Sequence, residues 1–130
     1  MSQMQQTALS DSATPQTAMP ADRSVAWQPV CALDDIWPNM GVCALVEGRQ
    51  VAIFRMQDDL LYAIDNYDPQ SDANVLSRGI IGDLGGEHVV ASPIYKHHYQ
   101  LRTGICVEDA NICLRTYPVE LRDGQVWVQV

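Results

Sequence analysis

The sequence predicts an all-β domain of antiparallel sheets, and three features carry that expectation. Apolar residues come in short runs cut by Gly, Pro, Asn and Asp, the rhythm of strands joined by turns. Two pairs of runs flank favoured two-residue turns, Glu47-Gly48 and Asp123-Gly124. Along the last run, Val126, Val128 and Val130 alternate with other residues, as one buried face of a strand requires.

Residues 1–24, MSQMQQTALSDSATPQTAMPADRS, are rich in Ser, Thr, Gln, Ala and Pro and show neither a two-residue nor a helical apolar period, so they are expected to form a disordered leader. A single domain follows over residues 25–130. Its first strand is VAWQPV, Val25 to Val30. After the Pro- and Gly-containing connection Trp37 to Gly41, VCALV and QVAIFRM form a hairpin over residues 42–56. Gln57-Asp58-Asp59 turns the chain into LLYAID, which completes a meander. Short helices are expected around Leu33 to Ile36 and Ala73 to Ser77. Between Asn66 and Gly104, two irregular loops flank the strand-like HVVAS, and Gly79, Gly82, Gly85 and Gly86 punctuate the stretch. TYPVELRDGQVWVQV, Thr116 to Val130, is a hairpin. Long loops on a rigid β scaffold are where function tends to reside.

Composition narrows the function classes. The 130 residues are 47% apolar and 18% charged, enough for one core. A formal charge of −8 disfavours nucleic acid and anionic membrane surfaces as partners. No apolar run approaches the roughly 18 residues of a membrane span, and residues 1–21 lack the basic start and apolar centre of a secretory peptide. Cys31, Cys43, Cys106 and Cys113 are expected to be reduced and mostly buried. The shortest interval among them leaves six residues between Cys106 and Cys113, unlike the tight pairs of zinc sites.

The two loops carry a resemblance. AIDNYDPQSDANVLSRG followed by ASPIYKHHYQLRTG resembles the cluster-binding loops of Rieske-type iron–sulfur (ISP) domains, a Cys-Pro-His loop ending in glycine and a Cys-Pro-x-His loop running into Phe-x-Leu-x-Thr-Gly. Pro69 and Gly79 retain the first loop's skeleton; Pro93, Tyr99, Leu101, Thr103 and Gly104 retain the second's. The ligand positions, however, fall on Asp68, Gln70, Ser92 and Tyr95. A Rieske centre needs two thiolates and two imidazoles, which a carboxylate, an amide, a hydroxyl and a phenol do not replace. His97 and His98 lie beyond the ligand positions, and as neighbours on a strand they face opposite ways. No metal or cofactor is therefore expected in this chain.

NVLSRGIIGD, VASPIYKHHYQLRTG and TYPVELRDG, taken in order, are similar to the small subunits of bacterial assimilatory NAD(P)H-dependent nitrite reductases, a Rieske-like group without the cluster ligands. That resemblance spans roughly Trp27 to Val130. It implies a cytoplasmic accessory subunit beside a large subunit that carries flavin (FAD), an iron–sulfur cluster and sirohaem and reduces nitrite to ammonium. The rival readings are a ferredoxin-like electron carrier and a cluster-free binding module of another oxidoreductase.

Each singled-out residue has a structural and a functional reading. Asp68, Gln70, Ser92 and Tyr95 serve either as hydrogen-bonding and packing groups of the loops or as part of a docking surface. Pro69, Pro93, Ile94, Tyr95, Lys96, His97 and His98 form the candidate partner interface, because aromatic and cationic groups are enriched at interfaces. Arg78 and Arg102 are expected to bond carbonyls or carboxylates such as Asp65 or Asp83, and Trp27, Trp37 and Trp127 to pack in or against the core. No nucleophile–base pair, catalytic carboxylate pair or phosphate loop stands out, so no catalytic residue is assigned.

Overall fold

Residues 26–130 are described by a computed structural model, and twelve short strands account for most of them. Strands β1 (Trp27–Ala32), β11 (Val119–Arg122) and β12 (Gln125–Gln129) form one antiparallel sheet in the order β1-β12-β11. A second sheet holds β2 (Met40–Val46), β3 (Arg49–Arg55), β4 (Leu61–Asp65) and the short β10 (Thr116–Tyr117), in the order β10-β4-β3-β2. Strands β5 (Tyr67–Asp68) and β6 (Ala73–Asn74) make a two-stranded ribbon. Strands β7 (Ile80–Leu84), β8 (Glu87–Ala91) and β9 (His98–Gln100) make a three-stranded sheet.

The second sheet is a wall between two cores. In β3, Val51, Ala52, Ile53 and Phe54 are all fully buried, which explains a continuous apolar run instead of an alternating one. Val51 and Ile53 face Val126 and Val128 of β12 together with Ala63 and Tyr117. Ala52 and Phe54 face the opposite core, with Leu76, Val90, Tyr99, Leu101 and Leu114. The second core carries the two long loops.

Three hairpins close with both turn residues at positive φ: Glu47-Gly48, Asp123-Gly124 and Gly85-Gly86. That geometry matches the right-handed twist of the flanking strands. The third differs from the sequence expectation, in which Gly85 and Gly86 only punctuated a loop. Strand β7 carries little buried apolar surface, so no periodicity announced it.

The first strand runs to Ala32, two residues beyond the expected end, across an irregularity between Pro29 and Cys31. The helix expected at Leu33 to Ile36 is a single 3-10 turn, Leu33–Asp35. That expected at Ala73 to Ser77 is strand β6 followed by a 3-10 turn, Leu76–Arg78. Buried Asn66 decides this: its carbonyl accepts from Val75 N (3.0 Å) and Leu76 N (3.1 Å), and its side-chain oxygen from Ser77 N (2.7 Å). The leader expected over residues 1–24 lies outside the described residues.

Of the four thiols, all are free but only Cys106 is buried; Cys43 and Cys113 are exposed, contrary to expectation. Trp37 is also a departure. It is 77% exposed on the connection before β2, while Trp27 and Trp127 are half-buried and share the Arg122 guanidinium, 5.0 Å from each ring.

The second loop is closed by Gly104, whose φ of +81° places a would-be Cβ 2.1 Å from the Leu114 carbonyl oxygen. Both the left-handed conformation and the backbone clash oppose a side chain there. Gly104→Ala is expected to cost about 3 kcal/mol in thermal or denaturant unfolding, whereas Gly48→Ala, with open space around it, loses far less.

Candidate functional site

The two loops meet on one carboxylate. Asp68 ends β5, where its carboxyl is fully buried, and five groups donate to it. From its own loop, Gln70 N donates to Oδ1 (3.1 Å) and Ser71 Oγ to Oδ2 (2.7 Å). From the second loop, Ser92 Oγ donates to Oδ2 (2.7 Å), Tyr99 OH to Oδ1 (2.8 Å), and His97 Nε2 lies 3.0 Å from both oxygens. The carboxylate thus uses its full acceptor capacity. Burial alone would raise its pKa, but the bonds from Ser92, Ser71, Tyr99 and His97 outweigh burial and hold the carboxyl well below the usual carboxylate range. Burial, with the Asp68 charge adding to it, pushes the Tyr99 hydroxyl far above an ordinary tyrosine, so Tyr99 acts as a donor.

Backbone bonds shape the second loop around this point. Ser92 N donates to His97 O (2.8 Å) and Lys96 N to Ser92 O (3.0 Å), closing a tight turn over Pro93, Ile94 and Tyr95. Lys96 lies at φ +61°, a conformation that favours glycine. Gln70 covers the junction from outside: its Nε2 donates to Tyr99 OH (3.1 Å) and lies 3.5 Å from Cys106 Sγ.

Of the four substituted ligand positions, then, Asp68, Gln70 and Ser92 converge. Tyr95 does not; it is 66% exposed, with its ring centroid 6.3 Å from that of His97. Sequence reasoning missed His97, Tyr99 and Ser71 as members of the network. The two-residue spacing of His97 and Tyr99, which places them on one face, was the available signal.

His97 was expected on a partner surface, but it is only 9% exposed, because its imidazole is drawn in by Asp68 and packs edge-on against Tyr99 at 5.3 Å. His98 points the other way: its Nδ1 donates to Glu108 Oε2 (2.7 Å) and its backbone N to Oε1 (2.8 Å). Pro69, Gln70, Pro93, Ile94, Tyr95 and Lys96 remain exposed at the loop tips. Arg102 pairs with Glu87 (3.3 Å), a carboxylate other than those anticipated.

Residues 26–129 match the family model of the Rieske-like 2Fe–2S domain. The chain is 48% identical over 101 residues to the nitrite reductase (NADH) small subunit of Salmonella typhimurium, an alignment covering 77% of this chain and 94% of that one. The chain belongs to the nitrite reductase small-subunit family. Its fold agrees with the solved structure of the Escherichia coli protein NirD at a TM-score of 0.76 and 42% identity, covering 82% of this chain and 97% of that one. The NAD(P)H nitrite reductase large subunit of Klebsiella oxytoca also contains a matching stretch, 46% identical over 109 residues; the match takes in 84% of this chain but only 11% of that protein.

The expected Rieske-like, antiparallel all-β fold is therefore the fold of this nitrite reductase small-subunit relative. The iron–sulfur cluster in the family model's description does not fit its residues. Thiolates are absent from both loops, the one imidazole at the junction is bonded to Asp68, and a fully satisfied carboxylate fills the position where a cluster ligand would start. Among the described residues no three His, Cys, Asp or Glu side chains group to hold a metal ion, and no helix is long and apolar enough to cross a membrane.

Removing the acceptor strands four buried or half-buried side-chain donors. Asp68→Ala is expected to lose about 3–5 kcal/mol of unfolding free energy, read by chemical denaturation. The pH dependence has a defined sign. Because the folded-state pKa lies below the unfolded value of about 3.9, ionised Asp68 stabilises the fold fully above about pH 5. That stabilisation is lost as pH falls through the folded-state pKa. Between about pH 5 and pH 2 the unfolding free energy should fall more steeply in the wild-type chain than in Asp68→Asn held folded at low temperature.

Proposed function

We propose that this chain is the accessory, non-redox small subunit of a cytoplasmic NAD(P)H nitrite reductase and that it docks on the large subunit through the tips of the two loops. The observation that carries the reading is the Asp68 junction: it gives the loops a fixed shape with groups that hold no cluster. The redox work, passing electrons from NAD(P)H through flavin, iron–sulfur cluster and sirohaem to nitrite, then belongs to the large subunit. This chain's contribution is a preformed surface.

The tip has the chemistry of such a surface. Ile94 (46% exposed) and Tyr95 (66% exposed) follow exposed Pro93 in the turn of the second loop, and Pro69 is exposed in the first, apolar and aromatic tips on a chain that is otherwise acidic. Rigid prolines and a pinned turn reduce the ordering cost of association. Exposed tyrosine supplies contact area with little side-chain entropy to lose. Lys96 adds a cation at the rim.

The purified chain is expected to be colourless and iron-free, to associate with its cognate large subunit, and to raise NAD(P)H-dependent nitrite reduction by that subunit. Tyr95→Asp should weaken association about tenfold or more while leaving the melting temperature within a degree or two, since the side chain lies outside both cores. Visible absorption bands with stoichiometric iron would replace the reading with that of an electron carrier. Full activity of the large subunit alone would remove the accessory role.

A further inference from the structure

We infer that the end of the domain remote from the loop tips carries a second contact for the large subunit, a cleft that receives one of its basic side chains. This rests on the docking reading above and adds to it a site of different chemistry. The cleft, about 510 Å³, opens between the second sheet and the β7-β8-β9 sheet. Met56 and Asp58 line it from the β3–β4 connection, and Ile81, Asp83 and His88 from the β7–β8 hairpin. Its place follows from strand direction. Strand β4 runs from Leu61 towards the first loop and β8 from Glu87 towards the second, whereas Met56 and Asp58 precede β4, and Asp83 and His88 lie at the turn that starts β8.

Strand β7 is patterned against its own core. Ile81 pairs with Val90, and both pack in the second core; Asp83 pairs with His88 and, two residues on, shares that face. The alternate positions hold Ile80 (72% exposed) and Leu84 (44% exposed). A strand that exposes its apolar residues and ends its core-side face in a carboxylate is not shaped by burial within this chain alone.

The charge at the cleft is uncompensated. Asp58 Oδ1 accepts from Leu60 N (3.2 Å) and Asp83 Oδ1 from Gly86 N (3.0 Å); among the described residues nothing bonds the second oxygen of either. Arg55, next to Met56 in the chain, is committed to Asp59 (2.8 Å), and Arg102 to Glu87 (3.3 Å). The negative potential is felt at Tyr62, whose ring stands edge-on to His88 at 5.7 Å. Burial first, then the charges of Glu87 and Asp58, push its hydroxyl above an ordinary tyrosine against the opposing Arg102.

A negative rim beside apolar Met56 and Ile81 suits a long basic side chain, whose aliphatic stem lies on the apolar walls while its charge meets the carboxylates. Asn39 also lines the cleft, and Trp37 and Met40, which flank it in the chain, are 77% and 56% exposed. On docking, such apolar neighbours keep water from the ion pair. A second copy of this chain, also at −8, is repelled, so the occupant belongs to a heterologous partner, the large subunit.

Replacing both carboxylates with amides of the same shape isolates the charge. In the double variant Asp58→Asn, Asp83→Asn each side-chain oxygen still accepts from its own turn, so the melting temperature is expected within about two degrees of the wild type. Affinity for the purified cognate large subunit is measured by titration calorimetry at low and at high salt. At about 50 mM salt the double variant is expected to bind about tenfold more weakly than the wild type. At about 500 mM the difference should shrink to about threefold or less, because the ion pair is screened. Equal affinities at low salt overturn the inference and leave docking through the loop tips intact. A loss of the same size at both salt concentrations also overturns it, since charge then plays no part. If the wild-type chain does not bind the large subunit, the docking reading fails and this inference with it.

Discussion

A buried, ionised carboxylate that accepts from both loops is the constraint on which this structure depends. In a low-dielectric interior an unpaired charge of this kind is prohibitively costly, and a fully paired one is a strong cross-link. Asp68 is paired by groups from two segments far apart in sequence: Gln70 and Ser71 on one side, Ser92, His97 and Tyr99 on the other. Each loop conformation is therefore a condition for the other. Tyr99 extends the linkage downward, because its hydroxyl meets Asp68 while its ring belongs to the core that also contains Phe54, Val90 and Leu101. The loop tips are rigid for the same reason that the second core is packed.

The double-sided burial of the second sheet places this junction on the core opposite the one that packs against the start of β1 and the end of β12. Trp27 pairs with Gln129, so the start of β1 and the end of β12 lie side by side in the first sheet, against the core opposite the one that supports the loops. Additional polypeptide joined at either end leaves from that sheet. A fold with its connections at one place and its functional loops rooted in another tolerates covalent attachment to a larger protein, as the matching stretch within the Klebsiella oxytoca large subunit illustrates. Under the proposed docking reading, attachment and docking use different surfaces.

What was legible in the sequence follows from how local each determinant is. Glu47-Gly48 and Asp123-Gly124 announce their hairpins because the turn needs positive φ at two successive residues, a demand that few dipeptides meet. The loop skeleton was legible through Pro69, Pro93 and Gly104, whose backbone roles are intrinsic to those residue types. Strand β7 was not, since its pairing with β8 is supplied by a neighbour and not by its own pattern. The inward turn of His97 was not legible either. It depends on an acceptor 29 residues away, which no local period encodes. The misplaced Trp37 is the converse case: its residue type suggested packing in or against the core, and only the packed structure shows that both cores are filled without it.

The chain's charge sharpens the docking argument. With a formal charge of −8, an acidic protein invites the expectation that it meets its partner through a basic patch. The loop tips point elsewhere. Asp68 is buried and fully bonded, and the exposed ionic groups of the two turns are of both signs, the carboxylate Asp72, which accepts from the Tyr67 hydroxyl, and the cation Lys96. Lys96 also occupies a left-handed backbone conformation that costs a non-glycine residue about 1–2 kcal/mol. Such strain at an exposed position contributes nothing to packing, and a glycine would hold the same turn without it. Under the proposed docking reading, this strained cation beside exposed Tyr95 is a contact made with another molecule, in which local complementarity, and not the long-range field of the acidic domain, selects the partner.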